Sequence, residues 1–525
     1  MFYDAQLGPA APWDRAVPMV CCCCARRLCA RWALAGLAAA VLLCRWLLAW
    51  RGGEAPLVLT TAGPSAGPTL APLLLVEQNS SCGRIIGGDR LELERVLLEA
   101  KTVSLRRRGV TEGDYLEMAR DCGSFVRARR YITVPLSPEE ERYPVAYSMV
   151  IHDGIEMFER LLRSIYAPQN LYCVHVDRKS PGEYHAAVRA IAACFPNVFV
   201  AARLESVTYA TWARVQADLN CMGELLRNPV PWRYFFNVCG HDFPLKTNRE
   251  IVHSLKALKG SNMIESDLPP GYKKKRWRFH YDIRDQLVVT EQLKEPPNIS
   301  TSVFVGSAYI AVTREFVAHV FASAEVQAFL RWSEDTYSPD EHVWATLLRM
   351  RGVPGYRRYT RRSSRTLGRA VKWSFEAGNV VKGAPYGDCT GTYRHLICIY
   401  GVGDISWLLR QEPFFANKFD PEVDNMAVQC MEEYLRNKTL REAQRGAISA
   451  PRCCCPEGLA AGELLNCSVS PGNGAVQDSR ESGEKDREHN ARIPGVAVGW
   501  FGVWGFGSVL PPIPNLLKVL RHREE

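Results

Sequence analysis

From residue 146 onward, short apolar runs alternate with stretches in which apolar residues recur at helical spacing. Ala146–His152 (AYSMVIH) leads into IEMFERLLRSIY, where Ile155, Phe158, Leu161, Leu162 and Ile165 fall on one face of a helix. Leu171–Val176 (LYCVHV) has the pattern of a buried strand, and a helical stretch over Tyr184–Ala193 follows it. Val198–Ala201 reads as a third strand, Thr211–Leu226 as a helix, and Tyr234–Cys239 (YFFNVC), closed by GHDFP, as a fourth strand. Strands alternating with helices predict βαβ units and a mostly parallel sheet. Such sheets bind ligands beyond the carboxyl ends of their strands. His152, Asp177 and Asp242 lie at or just past those ends, which points to a nucleotide site. No GxGxxG follows the first strand and no P-loop is present, so a dinucleotide enzyme or an NTPase is disfavoured.

The N-terminus supplies a compartment. Residues 32–50 (WALAGLAAAVLLCRWLLAW) are apolar apart from Arg45, close to the roughly 20 residues that a spanning helix needs. Arg26, Arg27 and Arg31 precede the run, so the positive-inside rule predicts a cytosolic tail over 1–31 and a lumenal body, although Arg51 weakens the asymmetry. No small-residue cleavage site follows, which predicts an uncleaved signal anchor. The cysteines crowded beside it, Cys21 to Cys24, Cys29 and Cys44, are candidates for palmitoylation. Sequons at Asn79, Asn298, Asn437 and Asn466 fit a lumenal body. Residues 51–140 read as a stem and N-terminal lumenal region, its first part rich in Ala, Pro, Gly, Thr and Ser. Pro, Gly, Ser and charge dominate from residue 441, so 441–525 reads as a low-complexity, disordered tail or the product of unusual splicing.

The chain has 525 residues, 47% apolar and 10% aromatic, enough for a sizeable core, and its formal net charge is +9. With no nucleic-acid module in the sequence, that surplus suits a phosphate-bearing small molecule or spreads over solvated surface. Of the 19 cysteines, those scattered singly along the body lack the close-paired spacing of a zinc module, and isolated lumenal cysteines pair as disulfides. The run Cys453–Cys455 has no reading on these grounds.

Six longer segments carry a resemblance: YPVAYSMVIH, RLLRSIYAPQNLYCVHVDRKS, RVQADLNCM, CGHDFPLKTNREIV, DTYSPDEHVWATL and FANKFDPEVD. In this order they resemble the core 2 and I-branching β-1,6-N-acetylglucosaminyltransferase family, from about Cys82 to Arg436, with a poor, arginine-rich stretch at Tyr356–Leu367. FDPEVDNMAVQCMEEYLRNK most resembles the mucin-type members that make core 2, core 4 and I branches.

The resemblance implies a GT-A-like α/β fold with its catalytic domain over 141–440. It also implies an inverting, metal-independent transfer of N-acetylglucosamine from UDP-GlcNAc to mucin-type O-glycans, in the Golgi membrane, by a single-pass type II protein. No cofactor is implied. The sequence has a lone Asp177 in VHVDRK where metal-dependent relatives of the fold carry Asp-x-Asp, so side-chain cations would have to neutralise the diphosphate. The resemblance puts Glu341 in the role of general base. It puts Val150, Ile151, His152, Asp177, Arg178, Lys179, Tyr209 and Lys418 at the donor. At the acceptor it puts Glu265, Lys273, Arg276, Glu341 and Trp373, with Phe375 where close relatives have tyrosine. Core 2 members carry a phosphate-binding arginine six residues after the first cysteine of CTGTYRHLIC. Here His395 takes that slot and Arg394 precedes it, so either could meet the diphosphate. The pairs Cys82–Cys430, Cys122–Cys194, Cys173–Cys221 and Cys389–Cys398 are implied as disulfides, with Cys239 free. Two rival readings stand beside this one: a member restricted to I-branching, and a Golgi sugar-binding protein that kept the fold and lost turnover. A soluble nuclear protein conflicts with the anchor, the sequons and the scattered cysteines.

Overall fold

The computed structural model describes residues 80–103, 108–283, 286–360 and 368–449. In chain order the strands are β1 (Val145–Ile151), β2 (Leu171–Val176), β3 (Val198–Val200), β4 (Tyr234–Cys239), β5 (Asp242–Pro244), β6 (Phe279–Ile283), β7 (Leu287–Leu293), β8 (Ala311–Thr313), β9 (Arg369–Ala370), β10 (Thr392–Arg394), β11 (Ile397–Ile399) and β12 (Phe415–Asn417). The central sheet has the order β3-β2-β1-β4-β8. Its first four strands are parallel and β8 joins antiparallel to β4. The chain winds outward from β1 through β2 to β3 and then crosses back to β4. This reversal opens a crevice at the carboxyl ends of β1 and β4. The mostly parallel sheet expected from the alternation is therefore present, as are the helices Ile155–Ile165, Gly182–Ala193 and Ala213–Arg227 between its strands.

Period-two alternation divides the sheet residues between two cores. Val145, Tyr147, Met149 and Ile151 of β1 pack with Tyr172 and Val174 of β2 and with the helical Phe158, Leu161 and Leu162. The positions between them face the other way, where Ala146, Cys173 and Phe235 meet Val215, Leu219, Met222 and Trp344. Ser148, His175 and Asn237 share this second face and are 0% exposed. A buried polar group without a partner is costly; Ser148 and Asn237 are bonded, while His175 is bonded through Nε2 and leaves Nδ1 buried without a partner. The Ser148 hydroxyl donates to Asp218 Oδ1 at 2.8 Å, Asn237 Nδ2 donates to Asp218 Oδ2 at 2.9 Å, and His175 Nε2 accepts the Glu205 N–H at 2.8 Å.

A smaller sheet, β5-β12-β9, lies at the end of β4. Its register sets Asn417 opposite Asp242, which carries Lys418 to the crevice. Asp242 itself is consumed in structure: it takes Arg369 at 2.7 Å, Asn417 at 2.9 Å and the Cys239 N–H at 2.7 Å. A third core under this sheet joins Cys82, Ile85, Phe243, Ala416, Phe419, Cys430 and Met431. It includes the helix Ser81–Ile86, from the stretch read as stem and N-terminal region, and the helix Pro421–Ser449. That last helix is interrupted at Asp424 (φ −151°, ψ 95°) and runs past residue 441, where the composition changes.

Four cysteine pairs lie at bonding distance: Cys82–Cys430, Cys122–Cys194, Cys173–Cys221 and Cys389–Cys398. Cys239 carries a free thiol. Asn298 is exposed and Asn437 is half-buried in the C-terminal helix. The proposed anchor at 32–50, Asn79, Asn466 and the Cys453–Cys455 run lie outside the described residues. Among the described residues no helix is long and apolar enough to cross a membrane.

The Cys82–Cys430 bond closes a loop of 348 residues in sequence, a long-range restriction on the unfolded chain. Replacing both cysteines by serine is expected to lower the unfolding free energy by about 2–5 kcal/mol, read by denaturant unfolding with the other three bonds intact. An unchanged midpoint would mean that packing alone holds the N-terminal helix.

Candidate active site

The segment DTYSPDEH reverses at Ser338, a non-glycine residue in the left-handed region (φ 47°, ψ 59°), and Pro339–Glu341 form a single 3₁₀ turn. The Ser338 N–H donates to the Ala210 carbonyl at 2.8 Å, and Ala210 is left-handed too (φ 61°). Non-glycine residues in this region cost about 1–3 kcal/mol each and persist only where their surroundings enforce them. Behind the turn, the Gly306 N–H donates to the Glu341 carbonyl at 2.8 Å. A Cβ on Gly306 would lie 1.9 Å from the Glu265 carbonyl oxygen, so only glycine allows this backbone to meet Glu265 and Glu341 together.

The Glu341 carboxylate is one-third exposed. Lys273 Nζ donates to its Oε2 at 3.0 Å, and the Arg276 guanidinium donates to the same oxygen. Oε1 takes no hydrogen bond from the described residues. Arg276 also lies 5.6 Å from the Tyr337 ring centroid. Glu265 completes the group. Burial pushes its carboxyl up, the Lys273 charge opposes that shift, and the Glu341 and Asp267 charges reinforce it. Glu265, Lys273 and Arg276 from one stretch thus form a cluster with Glu341 from another.

On the donor side, hydrogen bonds lace the ends of β1 and β2. Asp177 N–H donates to the Ile151 carbonyl at 2.9 Å and the Ser180 hydroxyl to the His152 carbonyl at 2.7 Å. Lys179 Nζ reaches Asp177 Oδ2 at 3.0 Å and the Val207 carbonyl at 2.7 Å, while Arg178 donates to the Leu204 carbonyl. Val150 and Ile151 are buried behind them and His152 is exposed. Both cations therefore brace the loop around Asp177.

The remaining donor candidates come from β10 and β11. Their two-residue connection, His395 (φ 51°) and Leu396 (φ 66°), is left-handed at both positions. That is the geometry of the tight hairpin turn usually built from Asn-Gly. The turn brings His395 onto Tyr209, with ring centroids 6.0 Å apart and planes 16° from parallel. Arg394 takes a different route, pairing with Asp420 at 3.2 Å. Lys418 is half-buried, and its ammonium makes no hydrogen bond or ion pair among the described residues. Burial lowers its pKa; nearby Cys239, Asp242 and Asp153 oppose that shift, and Arg394 adds to it. A sheltered ammonium without an anion, beside a guanidinium, is a ready receptor for phosphate.

Tyr209 is the meeting point of the two sides. It is 80% exposed, stacks on His395, and its hydroxyl feels the charges of Glu341 and Arg276. Trp373 and Phe375 make no hydrogen bond to the Glu341 cluster among the described residues. Their rings pack on each other at 5.6 Å, Trp373 N–H is bonded to the Tyr386 hydroxyl at 2.8 Å, and Ser374 N–H to the Leu396 carbonyl at 2.9 Å. They flank the 395–396 turn instead. His152, Asp153 and His241 also converge, each with a potential ligand atom within 4.8 Å of the others. The sequence reading noted no such group, because its members come from two separate loops.

Beneath Glu341 lies a network that the sequence reading missed. Arg214 Nη1 donates to Asp218 Oδ2 at 2.7 Å, Asp218 also holds Ser148 and Asn237, and Asn237 Oδ1 accepts the Ile310 N–H at 2.8 Å. Arg214 Nη2 and Asp340 Oδ1 are both buried without a partner. The signal was available: Arg214 and Asp218 stand four apart in RVQADLN, and Ser148 and Asn237 interrupt otherwise apolar strands.

The family model described as Core-2/I-Branching enzyme matches residues 145–409, the span that holds the sheet, Glu341 and the 395–396 turn. The chain belongs to the core-2/I-branching family. It is accordingly a glycosyltransferase. The chain is 47% identical over 371 residues, 70% of its length and 85% of the relative's, to the β-1,3-galactosyl-O-glycosyl-glycoprotein β-1,6-N-acetylglucosaminyltransferase 3 of Mus musculus. It is 48% identical over 372 residues, again 70% and 85%, to the Homo sapiens protein of that name. It is 48% identical over 371 residues, 70% and 84%, to a protein of Bovine herpesvirus 4 named as a transferase of the same kind.

Burial pushes the Asp340 carboxyl up to about 6 against the pull of Arg214, with Glu341 adding to the rise. The folded state therefore holds this proton more tightly than the unfolded chain, whose group titrates near 3.8. Stability from this group is full below that value and is lost as pH rises to about 6, by up to about 3 kcal/mol. Asp340→Asn is expected to exceed the parent in unfolding free energy at pH 7 and to lose that advantage at pH 4. Denaturant titrations of both proteins at the two pH values check it; an offset independent of pH would show that Asp340 does not titrate in this window.

Proposed function

We propose that this glycosyltransferase moves N-acetylglucosamine from UDP-GlcNAc in β-1,6 linkage onto mucin-type O-glycans. The acceptor would be GalNAc in core 2 and core 4 structures, or galactose in I branches. The transfer would invert the anomeric centre and need no divalent metal. The reaction would run in the Golgi lumen, with residues 32–50 as the membrane anchor. The names of the relatives support the linkage and the class of acceptor.

One observation carries the reading: among the described residues the Glu341 carboxylate keeps one oxygen without a hydrogen bond, and its charge reaches Tyr209, which stacks on His395 next to Arg394. In a single displacement, Glu341 Oε1 would accept the proton of the acceptor's primary hydroxyl while that oxygen bonds to the sugar's anomeric carbon. The bond from that carbon to the diphosphate breaks at the same time, and UDP leaves with the electron pair. Lys418 and Arg394 would offset the charge gained by the diphosphate, the role an ion fills in metal-dependent transferases. Lys273 and Arg276 hold Oε2 and so aim Oε1. Glu265 would accept hydrogen bonds from acceptor hydroxyls.

The His152–Asp153–His241 group favours a second reading, in which a divalent ion at this edge of the crevice assists the leaving group. One assay separates the two. Incubation with UDP-GlcNAc and a Galβ1-3GalNAc glycoside in EDTA is expected to give a β-1,6-branched product. Loss of product that zinc or manganese restores would favour the metal reading. Glu341→Gln is expected to lower kcat by about 10²–10⁴-fold, the range for a lost general base, with UDP affinity kept. Lys418→Met is expected to weaken UDP binding about tenfold or more. Equal donor affinity in parent and variant, read by calorimetry, would remove Lys418 from the donor site.

A further inference from the structure

The 3₁₀ turn Lys273–Trp277 has two working faces. Lys273 and Arg276 reach Glu341. Lys274, Lys275, Trp277 and Arg278 instead line a groove of about 870 Å³, whose lining also includes Lys294 and Trp332 and contains no acidic residue. Lys274, Lys275 and Arg278 are exposed, and none has a carboxylate partner among the described residues. Like charges crowded on one rim repel one another, and the repulsion is relieved only when an anion arrives.

The floor is built more firmly than the rim. The Lys294 ammonium is 6% exposed, paired with Asp335, and 5.1 Å from the centroid of the Trp332 ring. Trp332 Nε1 donates to the Glu295 carbonyl at 2.8 Å, and Trp277 packs on the buried His342 at 5.3 Å. Trp332 is held by that bond and by stacking on Phe329 at 5.7 Å, and Trp277 by its packing on His342, so Trp277 is the indole that offers a face to the groove and neither ring draws on the cations of the rim. A fixed aromatic face suits the C–H face of a pyranose, and free cations suit a carboxylate or a sulfate ester. An acidic peptide would use the rim and have little use for an immobilised indole.

We propose that this groove binds an acidic saccharide, a sugar bearing a carboxylate or a sulfate, on a glycan chain neighbouring the one being extended. The inference rests on the reading of Lys273, Arg276 and Glu341 as the acceptor end of the active site, because that turn supplies both surfaces. It adds a recognition step in which acidic, densely glycosylated acceptors are held beside the catalytic base.

The test uses the full chain and glycopeptides that share one neutral Galβ1-3GalNAc target. The neighbouring position carries a neutral sugar chain, a sialylated chain, a sulfated chain, or no sugar and an aspartate. The parent is expected to extend the sialylated or the sulfated peptide with a KM about tenfold below that of the neutral one at low salt, about 1.4 kcal/mol. The two arms tell carboxylate from sulfate. Lys274→Gln/Lys275→Gln/Arg278→Gln is expected to erase this difference and leave the neutral substrate's kinetics unchanged. In parallel, tryptophan fluorescence is titrated with free sialylated and sulfated trisaccharides, which reads the groove without turnover. Equal KM values across the parent's substrates, or a preference that survives in the triple variant, would overturn the proposal, as would an aspartate peptide matching the acidic sugars. If no peptide is extended, the transferase reading fails and the titration alone decides: saturable quenching lost in the triple variant sustains the groove, and its absence rejects it.

Discussion

The carboxylate of Asp218, 1% exposed, is the anchor on which this active site depends. One charge buried against the central sheet must be compensated, since removing a partner from such a group costs about 3–5 kcal/mol. Its bonds to Ser148, Asn237 and Arg214 do this, and in doing so they tie β1, β4 and the helix Ala213–Arg227 at one point. Asn237 passes the constraint on to the backbone at Ala308 and Ile310. That segment begins just after Gly306, whose N–H holds the Glu341 turn. The strained residues Ala210 and Ser338 are bonded to each other above the same helix. Strain at the reactive turn is thus sustained by polar order in the layer below it.

The electrostatics of the crevice divide along the same line. Glu341 meets two cations on one oxygen, while among the described residues Arg394 is paired with Asp420 and the Lys418 ammonium with no carboxylate. A carboxylate that is held but not saturated can still accept a proton. A cation that is sheltered but unpaired can still receive an anion. Tyr209 belongs to both halves: its ring stacks on His395 and its hydroxyl feels the charges of Glu341 and Arg276.

The alternation of apolar runs with helical periodicity was enough to place β1 to β4 and the helices between them to within a residue or two at most ends, because strands buried on both faces leave an unmixed signal. The antiparallel β8 and the two-residue β9 were not legible in this way; each is short and owes its place to a partner far along the chain. The same reason explains the site. Glu341, Glu265, Lys273 and Arg276 entered through the resemblance, and their convergence depends on Gly306 and two left-handed residues that no local pattern reports. Trp373 and Phe375 show the reverse case. The family pattern placed them with the acceptor, and in the folded chain Ser374 between them bonds to Leu396, which sets both rings beside the 395–396 turn. Asp242, at a strand end where a ligand was expected, is spent on Arg369 and Asn417. Position at a strand end predicts a neighbourhood; only the partners decide whether a carboxylate remains available.

Asp340 and Glu341 show how finely that availability is set. They are adjacent in sequence and chemically almost identical. The 3₁₀ turn sends one inward, where Oδ1 is buried without a bond and burial pushes the carboxyl up to about 6. It sends the other outward, one-third exposed and flanked by Lys273 and Arg276. The same short turn thus sends neighbouring carboxyl groups into different surroundings, one with an oxygen buried without a partner and the other open to solvent. Ser338, left-handed just before the turn, sets the direction in which both carboxyl groups leave the backbone, so one strained residue bears on which of them stays accessible.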